Sequence, residues 1–213
     1  MSIRLSSRDR LILAVASTLA ASSLSSAGIV NGGFESPGTG YILVFTGQTV
    51  GDWTCVGSNV EYVHAAPNPA LPGLEFSAYE GNYWIDLGGV GGPSGIYQDL
   101  TGLVAGQAYR VSFAQAGNVW GPNVEFSLQV SWNGAGVGSF SSVHGGGNGA
   151  NMNWQERYVD VIATAGVNRL QFFSPLVVAA RGAALDAVSI APIPGPGALA
   201  VFALAGLRGR RRR

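Results

Sequence analysis

The sequence predicts an all-β fold, an antiparallel jelly-roll-like β-sandwich carried between two terminal segments of different character. Composition points that way. Glycine supplies 32 of the 213 residues and only 11% are charged, against a usual charged share of about a quarter. Apolar and polar residues alternate over many short runs, and Gly, Asn and Pro clusters separate the runs. Period two repeated in this way suits strands with one buried face. Plentiful aromatic and β-branched residues argue against disorder.

The chain opens with Arg4, Arg8 and Arg10, followed by an apolar stretch from Leu11 to Ala21 and then Ser25-Ser26-Ala27. A positive start, a short apolar run and small residues before the cut describe a signal peptide, with cleavage expected after Ala27. The apolar run is too short for a lasting anchor, because a hydrocarbon core of about 30 Å needs roughly 20 helical residues. No twin-Arg pair is present, so the general secretory route is expected.

Residues 28–191 form the expected domain. Tyr109, Val111 and Phe113 share one face, with Arg110 and Ser112 on the other. Val124, Phe126, Leu128, Val130 and Trp132 make the longest alternating run, with Glu125, Ser127, Gln129 and Ser131 facing the opposite way. Val159, Val161 and Ala163 continue the pattern, then Leu170 and Phe172. Gly145-Gly146-Gly147-Asn148-Gly149 marks a loop. Neither a helical repeat nor a tandem duplication is visible. A single antiparallel sandwich is the natural way to bury these faces.

Residues 192–213 form a tail. Pro192, Pro194 and Pro196 break a strand. Gly197 to Leu207 is small and apolar, and Arg208, Arg210, Arg211, Arg212 and Arg213 close the chain. A helix from Pro196 to Leu207 reaches only about 18 Å, a marginal span. The arginines act as a stop, held inside while the body lies outside. This order resembles the PEP-CTERM sorting signals of Gram-negative bacteria, with Pro194-Gly195-Pro196 in place of Pro-Glu-Pro. The resemblance implies an exosortase-type partner, passage through the inner membrane, and residence at the cell surface or in the extracellular matrix.

The body carries an ordered series of motifs: Asn31-Gly32-Gly33-Phe34-Glu35, Asp52-Trp53-Thr54, Gly57-Ser58-Asn59-Val60-Glu61-Tyr62-Val63 and Gly81-Asn82-Tyr83-Trp84-Ile85-Asp86-Leu87-Gly88. Gly95-Ile96-Tyr97-Gln98, residues 105–113, Ala116-Gly117-Asn118 and Leu185-Asp186-Ala187-Val188-Ser189-Ile190 follow. The series resembles the choice-of-anchor C family and the related plant cell-wall domain of unknown function. The resemblance implies a galactose-binding-like jelly roll, a fold that includes many carbohydrate-binding modules.

Charge is segregated. Between the ends, four arginines face eleven acids, leaving seven negative charges in excess. An acidic body excludes nucleic acid as an expected partner. Cys55 is the only cysteine, so no internal disulfide forms; a small buried hydrophobe is the plain reading.

Catalytic residues are not evident. His64 and His144 show no zinc spacing, no Gly-x-Ser-x-Gly elbow occurs, and the glycines from Gly88 to Gly95 read as a turn. Glu61, Glu75, Glu80, Asp86 and Asp99 could supply the paired carboxylates of a glycosidase, but the sequence does not set two of them across a cleft. Asp186 shares a face with Val188 and Ile190 by period two, which aims it at the core. It is expected either to hold a structural Ca²⁺ with Glu35, as the resemblance implies, or to accept backbone N–H groups.

Sugar rings stack on exposed aromatics beside polar groups. Trp53, Phe113, Phe126, Trp132 and Phe172 fit the core. Trp84, on the same face as Asp86, together with Trp120 and Tyr79, is a candidate for ligand contact; a second core layer or a loop is the alternative for each. Three functions follow: a non-catalytic polysaccharide-binding surface protein, an adhesive or structural matrix protein, and a hydrolase. Exposed Trp84 and Trp120 favour the first, a flat apolar patch the second, and two cleft carboxylates the third.

Overall fold

The computed structural model describes residues 28–65, 76–120, 124–143 and 149–195. The residues of the expected signal peptide, including Ala27, and the tail from Pro196 through the arginine cluster lie outside them, as do Glu75 and His144. No helix among the described residues is long and apolar enough to cross a membrane.

Among the described residues, twelve strands form two six-stranded sheets. The first sheet runs β1 (Ile42–Phe45), β4 (Asn59–His64), β5 (Tyr83–Asp86), β12 (Ala183–Pro192), β7 (Ala108–Gly117), β10 (Gln155–Ile162). The second runs β2 (Thr49–Val50), β3 (Trp53–Gly57), β6 (Ser94–Leu100), β11 (Asn168–Ser174), β8 (Glu125–Trp132), β9 (Ala135–Val143). Neighbours pair antiparallel throughout. From β5 to β8 the chain changes sheet at every step, and it does so again from β9 to β12. This is the predicted jelly-roll sandwich. Between β8 and β9, Asn133-Gly134 makes a two-residue hairpin with both φ angles positive (52° and 82°), the left-handed pair that matches strand twist.

The alternation read from the sequence fills the space between the sheets. Tyr109, Val111 and Phe113 of β7 meet Phe126, Leu128 and Val130 of β8, Val159 and Val161 of β10, and Leu170 and Phe172 of β11. Trp53 is fully buried between Phe34 and Phe172, and its indole N–H donates to Asn31 O at 3.0 Å. Each such large side chain contributes roughly 1.5–3 kcal/mol by leaving water. Cys55 belongs to this core, and burial pushes its thiol pKa up, as expected of a small hydrophobe.

Two expectations need correction, and Glu35 is carried by a segment outside the sheets. Residues 28–41 form no strand, so Glu35 sits on an irregular segment. That segment still reaches the last strand, because Val188 N donates to Gly32 O, and a Cβ at Gly32 would fall 1.8 Å from Val188 O. Asp186 does not face the core. A bulge with Ala187 at φ 51° shifts the register between Asp186 and Ser189, so Leu185 and Val188 both point inward and Asp186 points out. Finally, β12 runs through Pro192. Its registered pairing with β5 involves only Ala184 and Leu185, so at Pro192 the missing N–H interrupts no ladder on that side.

Candidate functional site

The outer face of the first sheet is covered. Trp84 points away from the core, as its position predicts, yet it is only 1% exposed. Phe76, Val119 and Met152 pack over it together with Trp154 and Ala78, forming a second apolar layer. Its indole N–H donates to Phe76 O at 3.2 Å, and its ring meets Trp154 at 6.0 Å. The cover comes from residues before β5, after β7 and before β10. Trp84 therefore presents no open face to a ligand and belongs to a second core layer.

Asp86 is fully buried beside it. Its Oδ1 accepts Gly88 N–H at 2.8 Å and Gly182 N–H at 2.9 Å, and its Oδ2 accepts the Asn118 amide. Glu61 stands opposite Asp86 in the β4–β5 register and is bonded by the Tyr41 hydroxyl. Burial, then the Glu61 charge, pushes Asp86 up to about 8; burial pushes Glu61 up to about 7. The structure thus joins two of the carboxylates named as glycosidase candidates. The crevice above them, lined by Tyr41, Glu61, Trp84, Asn118 and Trp120, holds only about 30 Å³, room for a water or two. Asp86 is committed to its three donors. The pair does not flank a cleft that admits a glycosidic bond. Trp120 is 45% exposed at the mouth of this crevice.

Glu35 and Asp186 converge on the loop before β5. Glu35 Oε1 accepts N–H from Asn82 at 2.8 Å and Tyr83 at 3.0 Å, and its Oε2 takes the Asn82 side-chain amide at 3.4 Å. Asp186 Oδ2 accepts N–H from Tyr79 at 2.8 Å and Glu80 at 3.1 Å, while Oδ1 accepts Ala187 N–H. Burial pushes Asp186 up to about 7. Carboxylate oxygens already turned to N–H donors do not fit a calcium ion, and no cluster of three or more His, Cys, Asp or Glu side chains occurs among the described residues. Tyr79 is 40% exposed, and its hydroxyl bonds Glu156.

The outer face of the second sheet carries side chains that the sequence reasoning left unassigned. Across β11 and β8, Phe173 pairs with Gln129 and Gln171 with Ser131. These four, with Gly134, Gly136, Gly138 and Ser139 of the β8–β9 hairpin, line an open groove of about 620 Å³. A Cβ at Gly95 would come within 2.9 Å of the Phe173 ring, and one at Gly57 within 3.3 Å. The ring therefore occupies space that a side chain at either glycine would need.

Tyr97 stands opposite Gln171 on β6. The Arg169 guanidinium lies 3.8 Å over its ring and makes two bonds of 2.7 Å to Asp99. The hydrogen bond from Arg169 holds the Asp99 carboxyl below its ordinary range. Beyond Tyr97, a second groove of about 380 Å³ includes Thr54, Asp52 and Thr101. From β9 to β3 the face spans four strand spacings, about 19 Å. Period two signals these residues: Phe173 follows core Phe172 and Tyr97 follows core Ile96, so both must point outward.

No family model matches the chain, and no curated protein matches it. Solved structures of similar shape include TmCBM61 in complex with β-1,4-galactotriose, 18% identical with a TM-score of 0.44, covering 78% of this chain and 97% of that one. The CBM22-1 xylan-binding domain of Paenibacillus barcinonensis Xyn10C is 14% identical with a TM-score of 0.44, covering 72% and 94%. A family 35 carbohydrate-binding module from Clostridium thermocellum is 15% identical with a TM-score of 0.41, covering 70% and 96%.

Proposed function

We propose that this chain is an exported, non-catalytic surface protein whose second-sheet outer face binds neutral extracellular polysaccharide. The observation that carries the reading is the partly exposed ring of Phe173, which lines a groove with Gln129, Gln171, Ser131 and Ser139. A sugar ring presents an apolar C–H face and a rim of hydroxyls. An aromatic plane edged by amides and hydroxyls answers both. The main charges beside the groove, Arg169 and Asp99, neutralise each other, and the acid excess of the body disfavours an anionic polymer.

The ends of the chain complete the proposal. The leader is removed after Ala27, and the tail with Pro194-Gly195-Pro196 and its arginines holds the chain in the inner membrane until an exosortase-type enzyme passes it outward. On this proposal the chain is a relative of the choice-of-anchor C proteins, which its motif series resembles.

A polysaccharide array probed with the wild-type protein and with Phe173→Ala tests the binding reading. Binding lost in the variant supports it. A folded protein that binds no glycan would move the function to an adhesive role with protein partners.

A further inference from the structure

A further groove lies on the opposite side of the sandwich, on the first sheet where β7, β10 and β12 meet. It encloses about 380 Å³, within the range of small-molecule sites. Its floor is small: Ser112 and Ala114 of β7 and Ala187 of the bulge. Tyr79 and Tyr158 line it with Glu156. Here the cover over Trp84 ends, and the rings are 40% and 56% exposed.

Both rings are held before any ligand arrives. Asp186 accepts the Tyr79 N–H, Glu156 takes its hydroxyl, and Trp154 packs edge-on to it at 6.4 Å. Tyr158 stacks under the Arg110 guanidinium at 3.9 Å, and Arg110 is itself fixed by two bonds to Asp160 of 2.8 and 2.9 Å. Fixed aromatics lose little freedom on binding. Glu156 is an acceptor for sugar hydroxyls, and the Arg110–Asp160 pair leaves little net charge at the rim. The same chemistry found on the second sheet is therefore repeated on the far side of the core.

We infer that the Tyr79–Tyr158 groove is a second site for neutral glycan, which makes one domain bivalent and able to cross-link two polysaccharide chains. The inference rests on the glycan-binding reading of the second sheet. Because the two sites open on opposite sheets, one chain lying along one face does not reach the other groove. Cross-linking then follows from a monomer, without oligomerisation.

The full chain, confirmed monomeric by sedimentation, is mixed with soluble β-1,4-galactan, xylan or mixed-linkage β-glucan. Turbidity reads cross-linking, and calorimetry with the matching oligosaccharide reads stoichiometry. Two sites per chain are expected, with turbidity that disappears in excess protein. Tyr158→Ala, at an exposed position, weakens one site about tenfold. It abolishes turbidity and leaves the other site intact. Phe173→Ala does the converse, and Glu156→Gln weakens the Tyr158 site alone. One site per chain, lost in Phe173→Ala and unchanged in Tyr158→Ala and Glu156→Gln, would overturn bivalency and leave the second-sheet reading standing. One site lost only in Tyr158→Ala would overturn both bivalency and the assignment to Phe173. No binding to any of the three polysaccharides by either face would overturn the glycan reading with it.

Discussion

Glu61 and Asp86 face each other across β4 and β5 as register partners, both buried, on the side of the sheet away from the core. Two carboxylates in such contact cannot both stay charged at low cost. Three donors on Asp86 and the Tyr41 hydroxyl on Glu61 lower the pair, but burial outweighs them.

This arrangement predicts an unusual stability profile. In the folded protein Asp86 titrates at about 8, and Glu61 and Asp186 at about 7, against ordinary values of 3.8, 4.5 and 3.8. The folded state thus holds protons that the unfolded chain has already released. Stability is then greatest in mild acid and falls as pH rises from about 4 to about 8. Glu61→Gln removes the charge that raises Asp86. It should flatten the profile and stabilise the protein at pH 8, by about 1.4 kcal/mol for each pKa unit relieved. Urea melts at pH 5 and pH 8 check both statements. Stability rising between those values would contradict them.

Trp84 and Trp120 should separate. Trp84→Ala empties the second apolar layer and removes the bond to Phe76, so a loss of about 3–5 kcal/mol is expected. Trp120→Ala, at a half-open position, should cost less than about 1 kcal/mol. Thermal melts of the two variants decide it.

Asp186 should act as the clasp of the loop before β5. Asp186→Ala strands the amides of Tyr79 and Glu80, each costing about 1–3 kcal/mol where buried. Hydrogen exchange should speed up at residues 79–83 and little elsewhere. Because Glu35 and Asp186 already accept N–H groups, adding Ca²⁺ to metal-stripped protein should leave its melting temperature unchanged. A rise of several degrees would show that the carboxylates rearrange around an ion.

Arg169→Ala should uncover Tyr97 and free Asp99. The ion pair is half exposed, so the stability change should be small, under about 1 kcal/mol. Asp99, now without its donor, should titrate higher, which carbon-detected NMR of its carboxyl would read directly.

Much of this molecule is legible in its sequence, and the rest has identifiable causes. Period two assigned Tyr109 to Phe113 and Val124 to Trp132 to their faces correctly, because both runs are uninterrupted strands. It put Trp84 on the right side of β5. It could not report that Phe76, eight residues before it, and Met152, far along the chain, would close over that side. Asp186 was misdirected because one bulged residue, Ala187, resets the count. Of the candidate ligand contacts, Trp120 and Tyr79 lie in loops and are open, whereas Trp84 lies on a strand and is covered. Phe173 and Tyr97 each follow a core residue on a strand and were passed over. The seat of Phe173 depends on Gly95 and Gly57, which approach it only through sheet pairing.

Backbone chemical-shift mapping during titration with a soluble neutral oligosaccharide tests the central claim most directly. The account predicts saturable shifts at Phe173, Gln171, Gln129 and Ser131, lost in Phe173→Ala. Shifts confined to Tyr41 and Trp120, with the second-sheet face silent, would contradict it.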